Sequence, residues 1–387
     1  MLKKKDSDCP LINEAKMITA TFPRRKTRPI KIGGVAIGGG APIAVQSMTK
    51  TYTHNIKATV SQIKRLEGAG CEIVRLAVPD DRAAGALREI KARIAMPMIA
   101  DIHFDYRLAL SALKAGVDGL RLNPGTIGPR EKVKDIVRAA KERSVPIRIG
   151  VNSGSLERGL LGKYGGATAE AMVESALGHI RLLEDLGFDL IKVSLKASDV
   201  ERTVAAYRLL AEKVDYPFHA GITEAGSLFS GSVKSSVGLG ILLSEGLADT
   251  IRVSLTAPPE EEVRVAYLIL RSLGLRARGI NFVSCPICGR AEVDMLKIAP
   301  ELEKRLWPVR APLTVALMGC MVNGPGEAKE ADLGLACGRG VGILFKKGKL
   351  SRRIKEERII PEFIKEVKKM ALEEEKSGRK IGHARKE

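Results

Sequence analysis

The chain has 387 residues, enough for two domains, with a large core in at least one of them. Hydrophobic residues make up 45% of it but aromatic residues only 4%, so the core is aliphatic and few rings are present to stack on nucleic-acid bases. A formal net charge of +19 fits an anionic small substrate with an acidic protein partner as well as it fits nucleic acid.

The start of the chain contains no pattern that directs it to a membrane. Residues 1–20 are charged and have no apolar segment of the signal-peptide type, and no apolar run is long enough to span a bilayer. Six cysteines at uneven positions are typical of a reducing compartment rather than of a disulfide framework. We expect a cytoplasmic protein.

The first elements are a segment of low order and a hairpin. Residues 1–26 show no periodicity and are predicted to be extended or disordered. Between Thr27 and Gly40 the apolar residues alternate, as in a hairpin closed by Gly33-Gly34.

Strands and helices alternate from Pro42 onward. The candidate strands are 42–48, 72–78, 97–102, 119–124, 146–152, 190–197, 218–224 and 250–255. The segments between them are mostly helical by period, and Ser198 with Glu201 has the spacing of a capping box. Eight such units predict a closed parallel (β/α)8 TIM-type barrel over residues 27–278, an α/β fold, with an open doubly wound sheet as the alternative.

A repeated pattern places basic residues inside these strands. Each copy has a glycine that ends a helix, then an acidic residue, then a strand with a cation in its middle, as in 116–122. Strands covered on both faces are usually apolar, and an isolated buried charge is costly. The basic residues recur at Arg75, Arg121, Arg148, Lys192, Lys196 and Arg252.

We interpret the set of cations as the wall of a polyanion pocket. Strand carboxyl ends carry the chemistry of barrel enzymes, and a diphosphate is the natural guest of converging guanidinium and ammonium groups. Internal ion pairs with Asp101 and Glu224 are the alternative for any single cation. Glu224, at a strand end among cations, is a candidate acid or base. The segment from Ser153 to Gly166 is either a lid or a surface excursion.

A second domain, predicted over residues 279–372, carries three thiols. Cys285 and Cys288 form a Cys-x-x-Cys turn, and Cys320 follows on a Gly- and Pro-rich loop. A zinc site, a redox dithiol and an iron–sulfur cluster all use such a pair. Zinc lacks a fourth ligand at finger-like spacing, so three thiolates with an open position favour a [4Fe–4S] cluster. In this domain we predict strands near 313–318, 333–336 and 341–345 and helices near 293–306 and 359–372. Residues 373–387 are predicted to be a charged tail.

Seen together, these stretches resemble the family of 4-hydroxy-3-methylbut-2-enyl diphosphate synthases. In the barrel they are 45–49 (VQSMT), 101–105 (DIHFD), 121–125 (RLNPG), 148–155 (RIGVNSGS), 193–198 (VSLKAS), 221–226 (GITEAG) and 251–256 (IRVSLT). The second domain adds 285–290 (CPICGR) and 320–327 (CMVNGPGE). The combination is specific, although no single stretch is, and it has the pattern of the short, two-domain bacterial form.

The resemblance implies an iron–sulfur oxidoreductase. It would open 2-C-methyl-D-erythritol 2,4-cyclodiphosphate reductively, with loss of water, in the methylerythritol phosphate pathway of isoprene biosynthesis. Ferredoxin or flavodoxin would supply two electrons. The implied assembly is a homodimer in which the cluster domain of one subunit caps the barrel of the other, with no role for nucleic acid or membrane.

The resemblance also implies residue roles. Cys285, Cys288 and Cys320 would bind three irons and Glu327 the fourth, and Glu224 would lie near the substrate hydroxyls. The substrate-binding residues would be Arg75, Asp101, Arg121, Asn123, Arg148, Asn152, Lys196 and Arg252. Two features depart from the family pattern: the loop 51–55 lacks an acidic residue, and Cys337 is a rival of Glu327 as fourth ligand.

Two other functions remain compatible with the residues alone. One is a redox-inactive barrel enzyme, such as a pterin-type synthase or an aldolase, with a structural zinc knuckle. The other is a nucleic-acid-binding protein that depends on the positive charge.

Overall fold

The computed structural model describes residues 22–123 and 127–383. The predictions made for residues 1–21, for Pro124 and Gly125, and for the last four residues of the tail lie outside these ranges. The chain separates into two compact units between Arg276 and Ala277.

The first unit is a parallel barrel. Its strands are β3 (Ala44–Met48), β4 (Ile73–Val78), β5 (Met98–Ile102), β6 (Gly119–Leu122), β7 (Ile147–Asn152), β8 (Ile191–Lys196), β9 (His219–Ala220) and β10 (Thr250–Ile251). They pair in the order β8-β7-β6-β5-β4-β3-β10-β9, and a parallel bridge between Val193 and Phe218 joins β8 to the chain entering β9. The predicted barrel is confirmed, and the open sheet is excluded.

Helices surround the strands. They are α1 (Ile56–Ala69), α2 (Asp81–Ala92), α3 (Tyr106–Lys114), α4 (Arg130–Glu142), α5 (Arg158–Tyr164), α6 (Ala169–Glu184), α7 (Val200–Ala211), α8 (Leu228–Ser244) and α9 (Pro259–Ser272). In α1 the residues Val60, Ile63 and Leu66 recur at helical spacing and are buried. The capping-box prediction is wrong by one residue: Asp199, not Ser198, caps α7, because its side chain accepts a hydrogen bond from the backbone N–H of Arg202.

The last two barrel strands are shorter than predicted. At Gly221, directly after β9, an added Cβ would lie 2.3 Å from the backbone oxygen of Arg252. The backbones therefore approach too closely there for any residue with a side chain. Regular pairing ends at this point, and the following residues form loops.

The predicted hairpin is confirmed as β1 (Ile30–Ile32) and β2 (Val35–Ile37). Its buried side chains Ile30, Ile32 and Ile37 form one cluster with residues near the amino ends of three barrel strands, Ala44, Ile73 and Ile99. The hairpin thus covers the amino end of the barrel with aliphatic side chains.

The second unit is a small α+β domain. Its strands are β11 (Asn281–Ser284), β12 (Thr314–Met318), β13 (Leu333–Gly338), β14 (Val341–Lys346) and β15 (Lys349–Lys355), and its helices are α10 (Met295–Leu306), α11 (Gly324–Glu330) and α12 (Ile359–His383). The first three strands are parallel, and β14 and β15 add in antiparallel fashion. The predicted helix from Ile359 continues beyond Leu372 into the segment predicted as a tail.

Candidate active site

A polar cavity of about 180 Å³ lies at the carboxyl ends of the barrel strands. It is lined by Arg75, Asp101, His103, Arg121, Arg148, Asn152, Ser194, Lys196, Thr223, Arg252 and Ser254. These side chains come from β4, β5, β6, β7 and β8 and from the loops that follow β5, β9 and β10. Five of them are cations and one, Asp101, is a carboxylate.

Cross-strand register brings the charged residues together. Asp101 of β5 pairs with Arg121 of β6, and Arg121 pairs with Arg148 of β7. Register partners in a parallel sheet point to the same face, which here is the barrel interior. The Asp101 carboxylate therefore meets Arg121 Nη1 at 3.0 Å and Arg75 Nε at 3.4 Å.

Burial and mutual repulsion set the electrostatics of the cavity. Burial alone would raise the pKa of Asp101, but Arg75, a hydrogen bond from His103 and Arg121 hold it well below its usual range. Burial lowers the pKa of Arg75 to about 9. Burial and then the neighbouring arginines hold the pKa of Lys196 well below its usual value. The cavity is thus short of negative charge, which a bound polyanion would supply.

Sequence reasoning missed one buried acid, Glu262 of α9. It is 1% exposed, and its carboxylate accepts hydrogen bonds from Ser47 Oγ at 3.0 Å and from the backbone N–H of Leu255 at 3.1 Å. It also lies 3.7 Å from Arg252 Nη2. Glu262 is therefore a buried counter-charge for Arg252 and for Lys50, whose Nζ lies 3.0 Å from it. In the sequence it is one of three acids in the first turn of a helix, which usually are surface residues that complement the helix dipole.

The structure places the predicted substrate-binding residues as follows. Asn123 is buried directly after β6 but is not among the residues lining the cavity; the other seven line it. Glu224 follows the lining residue Thr223, is exposed, and has a left-handed φ of 52°. A non-glycine residue in that region is uncommon and frequently marks a functional position.

The segment between β7 and α6 contains α5 and is fastened to α6. Glu157 lies 3.0 Å from His179 Nε2, and it accepts a hydrogen bond from Ser175 Oγ at 3.1 Å. Lys163 Nζ lies 2.6 Å from Glu174 Oε2 at the other end of α5. These contacts hold the segment that follows Asn152 against the outer layer of helices.

Two of the thiols lie at the carboxyl ends of neighbouring strands in the second sheet. Cys285 follows β11 directly and Cys320 follows β12 by two residues, and these strands are parallel neighbours. Gly319 donates its backbone N–H to Cys285 Sγ at 3.4 Å. Cys288 is exposed on the same turn, in which Ile287 has a φ of 71°.

The surroundings of Cys320 favour a thiolate. The backbone N–H groups of Val322 and then Asn323 lower the pKa of its thiol, and a smaller contribution comes from Arg290. A thiolate is the form that binds iron or zinc. Glu327 is exposed on α11, shortly after this turn.

The thiols of Cys285, Cys288 and Cys320 are donors of the kind that hold a sulfur-ligated metal group. Within residues 22–123 and 127–383, no three His, Cys, Asp or Glu side chains are close enough together to form a complete metal site. Cys337 lies inside β13, fully buried, and burial raises the pKa of its thiol to about 12. Cys285, Cys288 and Cys320 are therefore the better ligand candidates.

Two family models match the chain. The GcpE TIM-barrel domain matches residues 27–267, and the GcpE protein C-terminal domain matches residues 281–369. In the part of the chain that the structure describes, no helix has both the length and the apolar character needed to cross a membrane.

Several curated relatives are similar over most of the chain. A 4-hydroxy-3-methylbut-2-en-1-yl diphosphate synthase (flavodoxin) of Geobacter sulfurreducens is 61% identical over 90% of this chain and 99% of its own length. A protein of the same name from Thermodesulfovibrio yellowstonii is 60% identical over 89% of this chain, and one from Caldanaerobacter subterraneus is 57% identical over 91% of it. Each match covers 99% of the relative's own length. A solved Yersinia pestis dihydropteroate synthase covers 63% of this chain and 98% of its own at 12% identity with a TM-score of 0.43, too distant to bear on function.

Proposed function

The chain belongs to the GcpE family, and we propose from this membership that it makes 4-hydroxy-3-methylbut-2-enyl diphosphate from 2-C-methyl-D-erythritol 2,4-cyclodiphosphate. The reaction is a step of the methylerythritol phosphate route to isoprenoids. Two electrons and one proton enter. The ring C–O bond to phosphate breaks and leaves an anionic phosphate oxygen, the neighbouring hydroxyl takes up the proton and leaves as water, and a carbon–carbon double bond forms between the two carbons. The protein is an oxidoreductase.

The cavity of the barrel is the proposed substrate site. The observation that supports it best is the charge imbalance, five buried or half-buried cations around one carboxylate. In our proposal these cations, Arg75, Arg121, Arg148, Lys196 and Arg252, bind the diphosphate. Asp101 holds two of the guanidinium groups in place. Asn152, which lines the cavity, orients the ring through its amide, whereas Asn123 lies outside the lining and is assigned no contact with the ring.

Glu224 is the proposed catalytic acid. Loss of water requires a proton for the departing hydroxyl, and a carboxyl group close to the substrate hydroxyls can deliver it. Its position directly after Thr223, which lines the cavity, supports this role. Glu224→Gln should then lower kcat more than it raises KM.

The two turns that follow β11 and β12 are the proposed cofactor site. Cys285, Cys288 and Cys320 would hold a [4Fe–4S] cluster with Glu327 as fourth ligand. The cluster supplies the two electrons singly when bound. Glu327, exposed on α11, would complete the ligand set with a carboxylate, a weaker ligand than the three thiolates.

Metal analysis tests the cofactor. Anaerobically purified protein should be brown and should contain iron and sulfide, with an EPR signal after reduction. Colourless protein that contains one zinc and is fully active without iron would instead support a structural zinc knuckle.

We also propose flavodoxin as the electron donor, since the relatives carry it in their names, with ferredoxin as the alternative. Measured rates with each reduced donor decide between them. A cytoplasmic location suits an enzyme whose cysteines, in the described part of the chain, are all free.

The proposed assembly is a homodimer in which each cluster domain caps the barrel of the partner subunit. Tyr52 and Phe104, in loops after β3 and β5, are 80% and 76% exposed, which supports a covered barrel mouth. Mixed dimers test it. A subunit with Lys196→Ala and a subunit with Cys285→Ser restore activity together only if barrel and cluster act across subunits.

A further inference from the structure

Lys192 of β8 is a buried basic residue to which the proposed site assigns no role. The residue is 1% exposed, and among the described residues its Nζ has no hydrogen-bond partner. It is also absent from the cavity lining. A charged amine in such a place loses its hydration and gains no counter-ion, which is strongly unfavourable.

Register places Lys192 next to the charged residues that line the cavity. It pairs with Arg148, so it continues the row that runs from Asp101 through Arg121 and Arg148 across four adjacent strands. Ser194 and Lys196 lie two and four residues further along the same face of β8 and line the cavity. Each step of two residues rises roughly 7 Å along a strand. Lys192 therefore lies nearer the amino end of β8 than the two residues of this strand that line the cavity.

The charged groups around Lys192 are mostly cationic. Arg148 of β7 and Arg75 of β4 repel its ammonium form, and Asp249, just before β10, attracts it. Asp249 is already engaged by Arg24 Nη2 at 3.0 Å and by the backbone N–H of Phe218 at 2.9 Å.

The other titratable groups nearby do not provide an anion. His219 of β9 is fully buried, and burial followed by repulsion from Lys196 lowers its pKa well below the usual value. Its Nδ1 lies 2.8 Å from Thr250 Oγ1, and its Nε2 has no partner in the described chain. Burial and then Arg148 lower the pKa of Lys192 in the same way. Arg75, with its pKa lowered to about 9, keeps its proton at neutral pH, whereas a lysine amine starts from a lower pKa and can lose its proton.

We propose that Lys192 is a charge-switching positioning residue of this site: its amine is neutral in the free protein and takes one proton from solvent when a diphosphate binds above it. A nearby anion stabilises the ammonium form, and by reciprocity the ammonium form binds the anion more tightly. No bond to carbon or phosphorus changes in this step. The inference rests on the proposed function only for the identity of the anion. Ring opening frees one further ionisable phosphate oxygen, so the switch would also favour the product.

Calorimetry measures the proton directly. The cluster-loaded protein is titrated with the cyclic diphosphate, without an electron donor, in buffers that differ in ionisation enthalpy, and then with inorganic diphosphate as a second probe. At pH 8–9 the wild type should take up about one proton more per site than Lys192→Met. The ratio of the wild-type affinity for the ligand to that of Lys192→Met should rise up to about tenfold for each unit by which the pH falls through this window.

Controls separate the switch from a structural role. Met has a similar length and no charge, so Lys192→Met should unfold at the same or a higher temperature than the wild type while losing the proton uptake. Lys64→Met, on the exposed face of α1, should behave as the wild type. Equal proton uptake in the wild type and in Lys192→Met overturns the inference. The inference is also overturned if the proton uptake is lost in His219→Gln but kept in Lys192→Met. Proton-coupled binding of inorganic diphosphate, without binding of the cyclic diphosphate, would sustain the switch and reject the proposed substrate.

Discussion

Arg121 Nη1 lies 3.0 Å from the Asp101 carboxylate, and both side chains are 7% exposed. Arg75 approaches the same carboxylate at 3.4 Å. One acid therefore orients two cations and leaves the excess positive charge of the cavity available to a ligand. This relationship explains how a barrel interior tolerates so many basic residues and why it keeps one acid among them.

Asp101→Asn should lower the free energy of unfolding by about 3 kcal/mol at pH 7, since it leaves two buried guanidinium groups without their counter-ion. The pKa of the native carboxyl is depressed, so its stabilising contribution is complete above the unfolded value of about 3.9 and is lost as the pH falls below it. Urea denaturation at pH 7, 5 and 3 measures the difference. Asp185→Asn, in an exposed pair with Arg130, is the control. An equal effect of both substitutions at pH 7 would contradict the role of Asp101.

Gly150→Ala should weaken binding of the cyclic diphosphate about 10- to 100-fold, the loss of one or two charge-assisted hydrogen bonds. An added Cβ would lie 2.5 Å from Arg121 Nε, and Arg121 is enclosed on its other side by Asp101. Gly154→Ala is the matched control, because nothing lies within 4 Å of its added Cβ. Calorimetric titration of both variants decides, and unchanged affinity in Gly150→Ala would show that Arg121 does not bind the ligand.

Glu327→Ala should lower the iron content from about four to about three per chain, with the three thiolates still holding the remainder. Iron analysis and EPR of the anaerobically reconstituted protein measure it. Glu330→Ala, on the same short helix, should keep the full cluster. A stable, complete cluster with normal turnover in Glu327→Ala would remove Glu327 from the ligand set.

Cys337→Ala should leave the iron content unchanged and lower the free energy of unfolding by about 1 kcal/mol, since it only deletes a buried sulfur from the core. Cys337 is paired with Gly342 inside the sheet and has a thiol pKa raised by burial to about 12. Cys320→Ala should instead prevent cluster assembly. Iron loss in Cys337→Ala would make this thiol a ligand after all.

The sequence pattern predicted the barrel because strand and helix periods are local properties. It could not decide between Lys192 and Lys196, which lie on the same face of one strand. Which of them reaches the cavity depends on the stagger between neighbouring strands, and that is set by packing over the whole barrel. Glu262 was missed because an acid in the first turn of a helix normally faces solvent.

The second domain shows another limit of pattern reading. β11 and β15, which were not predicted, are the two edges of the sheet and are largely exposed. Edge strands have one neighbour and often carry charge, so they lack the apolar alternation on which prediction depends. The three inner strands, which bury most of their side chains, agree with the prediction to within a few residues.

The hairpin that carries Ile30, Ile32 and Ile37 covers the amino end of the barrel with aliphatic side chains. The direct route by which water and protons reach the lysines inside is then the carboxyl end of the barrel, where the ligand is proposed to bind. A bound ligand therefore closes this route, and exchange of the Lys192 amine protons with solvent should slow sharply once the ligand is in place.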